Sequence, residues 1–334
     1  MKAMVLRRPA DVSSNPLESA DLAAPAPGPE DILVKVKYCG VCHTDLHAVE
    51  GELPKVKLPL VPGHQIVGVV AGRGAAASRF KEGDRVGAAW LYSTCGHCEF
   101  CLSGRENLCR DARFTGYQVD GGYAEYFVIP EKFAYALPSG FGDEEAAPLL
   151  CAGIVGFRAL RLSEVKNGQR LGIFGFGASA HIVMQVARHW GCEIFVFTRS
   201  PEHRRLAESL GAAWTGTAQD EPPAKLHGAV IFAPAGGLVL DALLKLERGG
   251  TLALAGITMS PIPELDYDRH LYHERTMRSV ANATRRDGEE FFSLAAEIPI
   301  RTTTRVFDLK DANRVLNLLK QGRISGAAVL RVSS

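Results

Sequence analysis

Residues 171–197, LGIFGFGASAHIVMQVARHWGCEIFVF, decide the fold. An apolar run, LGIF, gives way to glycines, then to apolar residues at helical spacing in SAHIVMQVARHW, then to a second apolar run, EIFVF. Strand, helix and strand in that order predict a βαβ unit. At its first turn stands Gly175-Phe176-Gly177-Ala178-Ser179-Ala180, a context that makes dinucleotide binding the expected use of the glycines. Gly175 and Gly177 permit a tight turn and close approach of a pyrophosphate to the helix N-terminus, and Ala180 takes the third, packing position. Gly191 ends the helix. Ser200, Pro201 and Gly211 bracket the next one as N-cap, first-turn proline and stop. Further on, AVIFA (229–233) and TLALAG (251–256) flank a helical LVLDALLKLERGG (238–250), so the alternation predicts a doubly wound parallel sheet, the Rossmann arrangement.

Outward from this core the pattern changes. Residues 1–151 read as short β-rich segments punctuated by Gly and Pro: KAMVLR, DILVKVKYCG, QIVGVVAG, DRVGAAWL and GGYAEYFVIP. PAPGP at 25–29 is a turn-rich connector. After about Asp287 the alternation lapses into a helix over EEFFSLAAEI, a strand RVFDL and a closing helix DANRVLNLLKQG.

The chain has 334 residues, enough for two domains, with 46% hydrophobic and 22% charged residues. Lys and Arg number 38 against 37 Asp and Glu, a formal charge of +1 that offers no electrostatic footprint for nucleic acid or a membrane surface. The N-terminus has no apolar leader and no segment is long and charge-free enough to span a bilayer, so a soluble, cytoplasmic protein is expected.

Eight cysteines in a chain of this size argue for metal rather than a disulfide framework. Cys95, Cys98, Cys101 and Cys109 crowd into fifteen residues and match the four-thiolate set of a structural zinc lobe, placed at about 90–110. Four thiolates leave no open coordination position, so such a lobe holds structure and performs no chemistry. Cys39 and Cys192 read as packed thiols.

The segments GVCHTDLH (40–47), PGHQIVG (62–68), CGHCEFCLSGRENLC (95–109), LLCAG (149–153) and GFGASA (175–180) resemble, in order, the zinc-dependent alcohol dehydrogenases of the medium-chain dehydrogenase/reductase superfamily. The likeness runs from about residue 2 to residue 330. It implies a GroES-like, β-rich catalytic domain (1–151 and 288–334) with a Rossmann domain (152–287) inserted. Cys42, His64 and Cys151 fall on its catalytic-zinc ligand positions. Spacing alone leaves open whether these three meet or are a pair of buried thiols and a hydrogen-bonded histidine.

The resemblance also implies that Thr44 hydrogen-bonds the substrate oxygen, that His47 passes the proton towards solvent, and that Asp45 orients the ligand histidine. Leu53 and Trp90 fall on walls of its substrate pocket. Arg285, in Thr284-Arg285-Arg286-Asp287, falls on a pyrophosphate contact, with an ion pair to Asp287 as the alternative. One departure stands out: where the family usually has Glu after the ligand histidine, this chain has Gln65. A neutral amide predicts a weaker alternative ligand and a more electrophilic metal.

At the end of EIFVFTRS no carboxylate awaits an adenosine ribose. Thr198 stands at that position, and Thr198, Arg199 and His203 suit a 2′-phosphate, favouring NADP over NAD. The expected activity is hydride transfer between a primary alcohol or aldehyde and NAD(P), in a homodimer or homotetramer with two zinc ions per chain. Two alternatives remain at this point: a zinc-free quinone or enoyl reductase of the same fold, and a non-catalytic NADP(H)-sensing zinc protein.

Overall fold

The computed structural model describes residues 1–324 and 326–333. The chain divides into two compact units, Met1–Cys151 with Thr284–Ser334, and Ala152–Ala283.

The second unit is a six-stranded, wholly parallel sheet. Its spatial order is Trp214–Gly216, Glu193–Phe197, Arg170–Phe174, Leu226–Ile231, Leu246–Leu254, Thr276–Ser279, which in chain order is 3-2-1-4-5-6. That is the doubly wound order of a dinucleotide-binding sheet, with the reversal beside Arg170–Phe174. The strands Arg170–Phe174 and Glu193–Phe197 are buried almost throughout, as covering both faces of a parallel sheet requires. Helix Ala178–His189 joins them. Helix Pro201–Ser209 starts as its sequence predicts, with the Ser200 hydroxyl accepting from the His203 N–H and Pro201 at the first helical position. The helix expected over 238–250 is shorter. It spans Gly237–Lys245, and the chain turns into strand at Leu246 because Leu246 pairs with Leu226.

In the first unit the long strand Asp31–Val41 organises a seven-stranded sheet. It pairs antiparallel with Gln65–Arg73, Tyr126–Pro130 and Ala327–Arg331. Its alternation buries Ile32, Val34 and Val36 in the main core of this unit. The register with Gln65–Arg73 sets Gly40 opposite Gln65. Residues just beyond Gly40 and just before Gln65 are thereby brought side by side, although about twenty positions separate them in sequence.

The boundary expected at 287/288 falls at 283/284. The reason is local. Thr284 caps helix Arg285–Glu297, its hydroxyl accepting from the Asp287 N–H while the Asp287 carboxylate accepts from the Thr284 N–H, so 284–287 cannot be parted from the helix they start.

Candidate active site

Helix His43–Glu50 follows directly on the organising strand, and Cys42 is its N-cap. The Cys42 sulfur accepts from the Thr44 N–H at 3.3 Å, and the Asp45 Oδ2 accepts from the Cys42 N–H at 2.9 Å. Asp45 also reaches a second partner, since its Oδ1 lies 2.9 Å from Nδ1 of His64, the residue that the sheet register carries alongside. A carboxylate on Nδ1 leaves Nε2 as the ligating atom. That nitrogen is 3.4 Å from the Cys42 sulfur. With the Cys151 sulfur, the three potential ligand atoms lie within 4.8 Å of one another.

This set fits a zinc ion. Two thiolates and an imidazole match the metal's ligand preference, and three protein ligands leave a fourth position open, the pattern of catalytic rather than structural sites. The site's protonation points the same way. Burial opposes charge on His64, yet the adjacent Asp45 and Cys42 charges outweigh it and hold the imidazole well above its ordinary range. Hydrogen bonding with Cys151 pushes Cys42 well below the usual thiol range despite burial, and the same bond, with burial, pushes Cys151 up. Burial raises the Asp45 carboxyl, against the pull of His64. Each of these shifts records charge crowded into one buried space, and thiolate and neutral imidazole are the forms in which such groups would hold a divalent cation.

The second cluster is closed. Cys95 to Cys101, Cys98 to Cys101 and Cys109 to Cys95 are separated by 3.9, 3.6 and 3.6 Å between sulfurs. A tetrahedron with metal–sulfur bonds of about 2.3 Å has edges of about 3.8 Å. Backbone N–H groups of His97 and Cys98 bring the Cys95 thiol down to about 6, while burial takes Cys109 up to about 11.

Thr44 and His47 are three apart on one helix and therefore share a face. Thr44 is buried. His47 is engaged through Nδ1 by Glu52, a residue that no sequence motif singled out. Trp90 meets the His64 ring edge-on at 5.1 Å and stacks with Phe114 at 5.2 Å and Tyr117 at 5.6 Å. Leu53 is half-buried beside Pro54, whose carbonyl accepts from the Tyr117 hydroxyl. Gln65 is buried, with its Oε1 against Gly40, where an added Cβ would lie only 2.4 Å away.

In the second unit, Gly175 adopts φ +86°, a conformation that favours glycine, and an added Cβ there would meet Ala233 at 2.9 Å. Phe176 is buried. Gly177 caps helix Ala178–His189 without any side-chain hydrogen bond, so the first N–H groups, including those of Ala178 and Ser179, are not taken by a side-chain cap and suit an anion. Thr198 is buried at the end of its strand, Arg199 is exposed and His203 half-buried. Arg204 joins them, its Nε donating to the Thr198 carbonyl at 3.0 Å. Its place on the first turn after the Ser200 cap was the available signal.

Arg285 departs from both of its readings as a free phosphate ligand or a partner of Asp287. Its Nε and Nη2 bind the buried Glu106 carboxylate at 2.5–3.0 Å, its own N–H donates to the same group, and its guanidinium lies over Phe133. Asp287 is occupied by the helix cap instead.

Family profiles match the alcohol dehydrogenase GroES-like domain over residues 28–139 and the zinc-binding dehydrogenase over residues 180–297. The probable alcohol dehydrogenase AdhA of Mycobacterium tuberculosis is 50% identical over 337 residues, covering 99% of this chain and 97% of that protein. The chain belongs to the zinc-type alcohol dehydrogenases of the medium-chain superfamily. Among solved structures, an NAD-dependent alcohol dehydrogenase superposes with a TM-score of 0.91 at 26% identity, covering all of both chains. CAD from Helicobacter pylori, complexed with NADP(H), gives 0.88 at 25% identity over 99% of this chain and 97% of that one. The dehydrogenase is thus a zinc-binding, NAD(P)-type oxidoreductase that acts on small molecules, and no helix among its described residues is long and apolar enough to cross a membrane.

Proposed function

We propose that this alcohol dehydrogenase interconverts a primary alcohol and its aldehyde, prefers NADP to NAD, and carries two zinc ions per chain, in a cytoplasmic homodimer or homotetramer. The observation that carries the reading is the convergence of Cys42, His64 and Cys151, with Asp45 on the far nitrogen of the histidine. A zinc-free quinone or enoyl reductase has no use for that set. When bound there, zinc supplies Lewis-acid polarisation of the substrate oxygen and eases loss of its proton near neutral pH. The cofactor supplies the hydride acceptor.

The chain's own groups do the rest. Asp45 fixes the tautomer and the aim of His64. The Thr44 hydroxyl receives the substrate proton's hydrogen bond, and His47, on the same helix face, carries the proton onward. Trp90, stacked on Phe114 and Tyr117, is an apolar slab beside His64 that excludes water and suits a modest apolar side chain. Cys95, Cys98, Cys101 and Cys109 hold the second zinc. The helix N-terminus at Gly177 to Ser179 takes the pyrophosphate. Thr198, Arg199 and His203, with Arg204 beside them, supply hydroxyl and cationic donors and no carboxylate to the 2′-position.

A screen of alcohols and aldehydes with both cofactors tests this. The kcat/KM with NADP is expected to exceed that with NAD by about tenfold, the worth of one charge-assisted hydrogen bond. A preference for NAD overturns the cofactor assignment, and inertness of a fully zinc-loaded sample towards every alcohol and aldehyde overturns the substrate reading.

Gln65 gives a second test. Gln65→Glu replaces the buried amide that follows His64 in the chain with a carboxylate. It is expected to raise resistance to chelators by about tenfold and to lower kcat several-fold, since the metal gains a competing anionic donor and loses electrophilicity. Unchanged zinc affinity and turnover sink the idea.

A further inference from the structure

Helix His43–Glu50 ends at Gly51, which adopts φ +77° and ψ 18°. The left-handed turn reverses the chain, the Glu52 N–H donates to the His47 carbonyl at 3.0 Å, and the Glu52 side chain folds back over the last helical turn. There its Oε2 lies 2.5 Å from Nδ1 of His47. The His47 side chain is 16% exposed and Glu52 53% exposed, so the pair bridges a largely covered ring to bulk water.

We propose that Glu52 is a positioning residue for His47, fixing the tautomer and aim of the imidazole that carries the substrate proton. The inference rests on the relay reading of His47 under Proposed function. An ionised carboxylate has no hydrogen to give, so the proton in this contact belongs to Nδ1. Nε2 is then left unprotonated and is the basic atom. When Nε2 takes up a proton, the imidazolium forms against a carboxylate already in place, and the same nitrogen releases that proton to water at the end of the cycle. No redox partner is needed, and the balance closes on one N–H bond formed and broken. An imidazole free in water prefers the opposite tautomer, with its proton on Nε2, so removing Glu52 leaves the basic atom on the wrong side of the ring. As a stability element the same contact would be worth little, because its carboxylate is half in solvent. The orientation is therefore where its effect is expected.

The test compares Glu52→Ala, Glu52→Gln and His47→Ala in the zinc-loaded enzyme. Glu52→Ala is expected to lower kcat for alcohol oxidation by about tenfold, less than the roughly hundredfold or more that losing a general base costs because the imidazole itself remains, with KM for the alcohol, dinucleotide Kd and zinc content unchanged. Nitrogen-15 NMR of the labelled histidines should show the His47 proton on Nδ1 in the parent and moved to Nε2 in Glu52→Ala. Glu52→Gln, whose amide oxygen still accepts from Nδ1–H, should restore the tautomer and part of the rate. A slow His47→Ala beside a Glu52→Ala variant with parental kcat, or with the parental tautomer, overturns the proposal and leaves the relay standing. A His47→Ala variant with parental kcat removes the relay itself, and the role of Glu52 with it.

Discussion

Cys151→Ala is expected to abolish alcohol oxidation, with kcat down by at least about a thousandfold and zinc content falling from about two ions per chain to about one. A Lewis acid at the substrate oxygen contributes several kcal/mol to the transition state, and about 4 kcal/mol is a factor of about 10³. Two ligands, Cys42 and His64, cannot hold a metal in competition with water as three do, and Cys151 enters the cluster through its sulfur, which bonds Cys42. That distinguishes it from its partners. Cys42 also caps the helix that carries Thr44 and His47, and His64 hydrogen-bonds the buried Asp45 carboxylate through Nδ1. His64→Ala should therefore lose activity and also about 3 kcal/mol of stability, because a buried carboxylate keeps the Cys42 N–H but loses its other hydrogen-bond donor. Metal analysis, turnover and thermal melting of the two variants separate these effects. A Cys151→Ala enzyme that keeps both zincs and turns over within tenfold of the parent would refute the assignment.

The sequence made some of this arrangement legible and hid the rest for identifiable reasons. The parallel sheet was readable because LGIF and IFVF (194–197) are buried and so consist of unbroken apolar runs, and because Gly175, Ser200 and Pro201 mark turns by local chemistry. The edge strand Thr276–Ser279 was not. It pairs on one side only and is mostly exposed, so TMRS carries no apolar signature. The same holds for the site. The four clustered cysteines announce themselves by spacing, whereas Cys42 and His64 meet because the sheet sets Gly40 opposite Gln65, a register no local pattern encodes, and Cys151 joins them from the end of the short turn Ala147–Leu150 that packs on the same strands. Family likeness supplied what spacing could not. Arg285 shows the limit of reading neighbours: its partner Glu106 is 179 positions away, while the nearer Asp287 is consumed by a helix cap. Glu52 was missed for the opposite reason, since its contact is local but depends on the chain reversal at Gly51.

Removing the second metal is expected to act on stability before chemistry. Between Cys95 and Cys109 the regular structure amounts to a four-residue helix, Glu99–Leu102, and a single turn at Glu106–Leu108, with Leu102 77% exposed. Such a segment buries too little apolar surface to fold alone, and a zinc ion held by the four cysteines would supply the missing free energy, on the order of 10 kcal/mol in small zinc modules. Cys101→Ser should leave three thiolates, lose that ion and open 95–109 to proteolysis. The damage does not stop there. Glu106 lies in the same segment and holds Arg285 at the start of helix Arg285–Glu297, so unfolding the lobe strands a half-buried guanidinium and frees a helix N-terminus within the catalytic unit. A net loss of about 4 kcal/mol corresponds to a melting temperature lower by about 8–16 °C in a unit of this size. Turnover at low temperature should survive in proportion to the zinc retained by Cys42, His64 and Cys151. A Cys101→Ser protein with two zincs, parental melting and no new cleavage would mean that packing, not metal, holds the lobe.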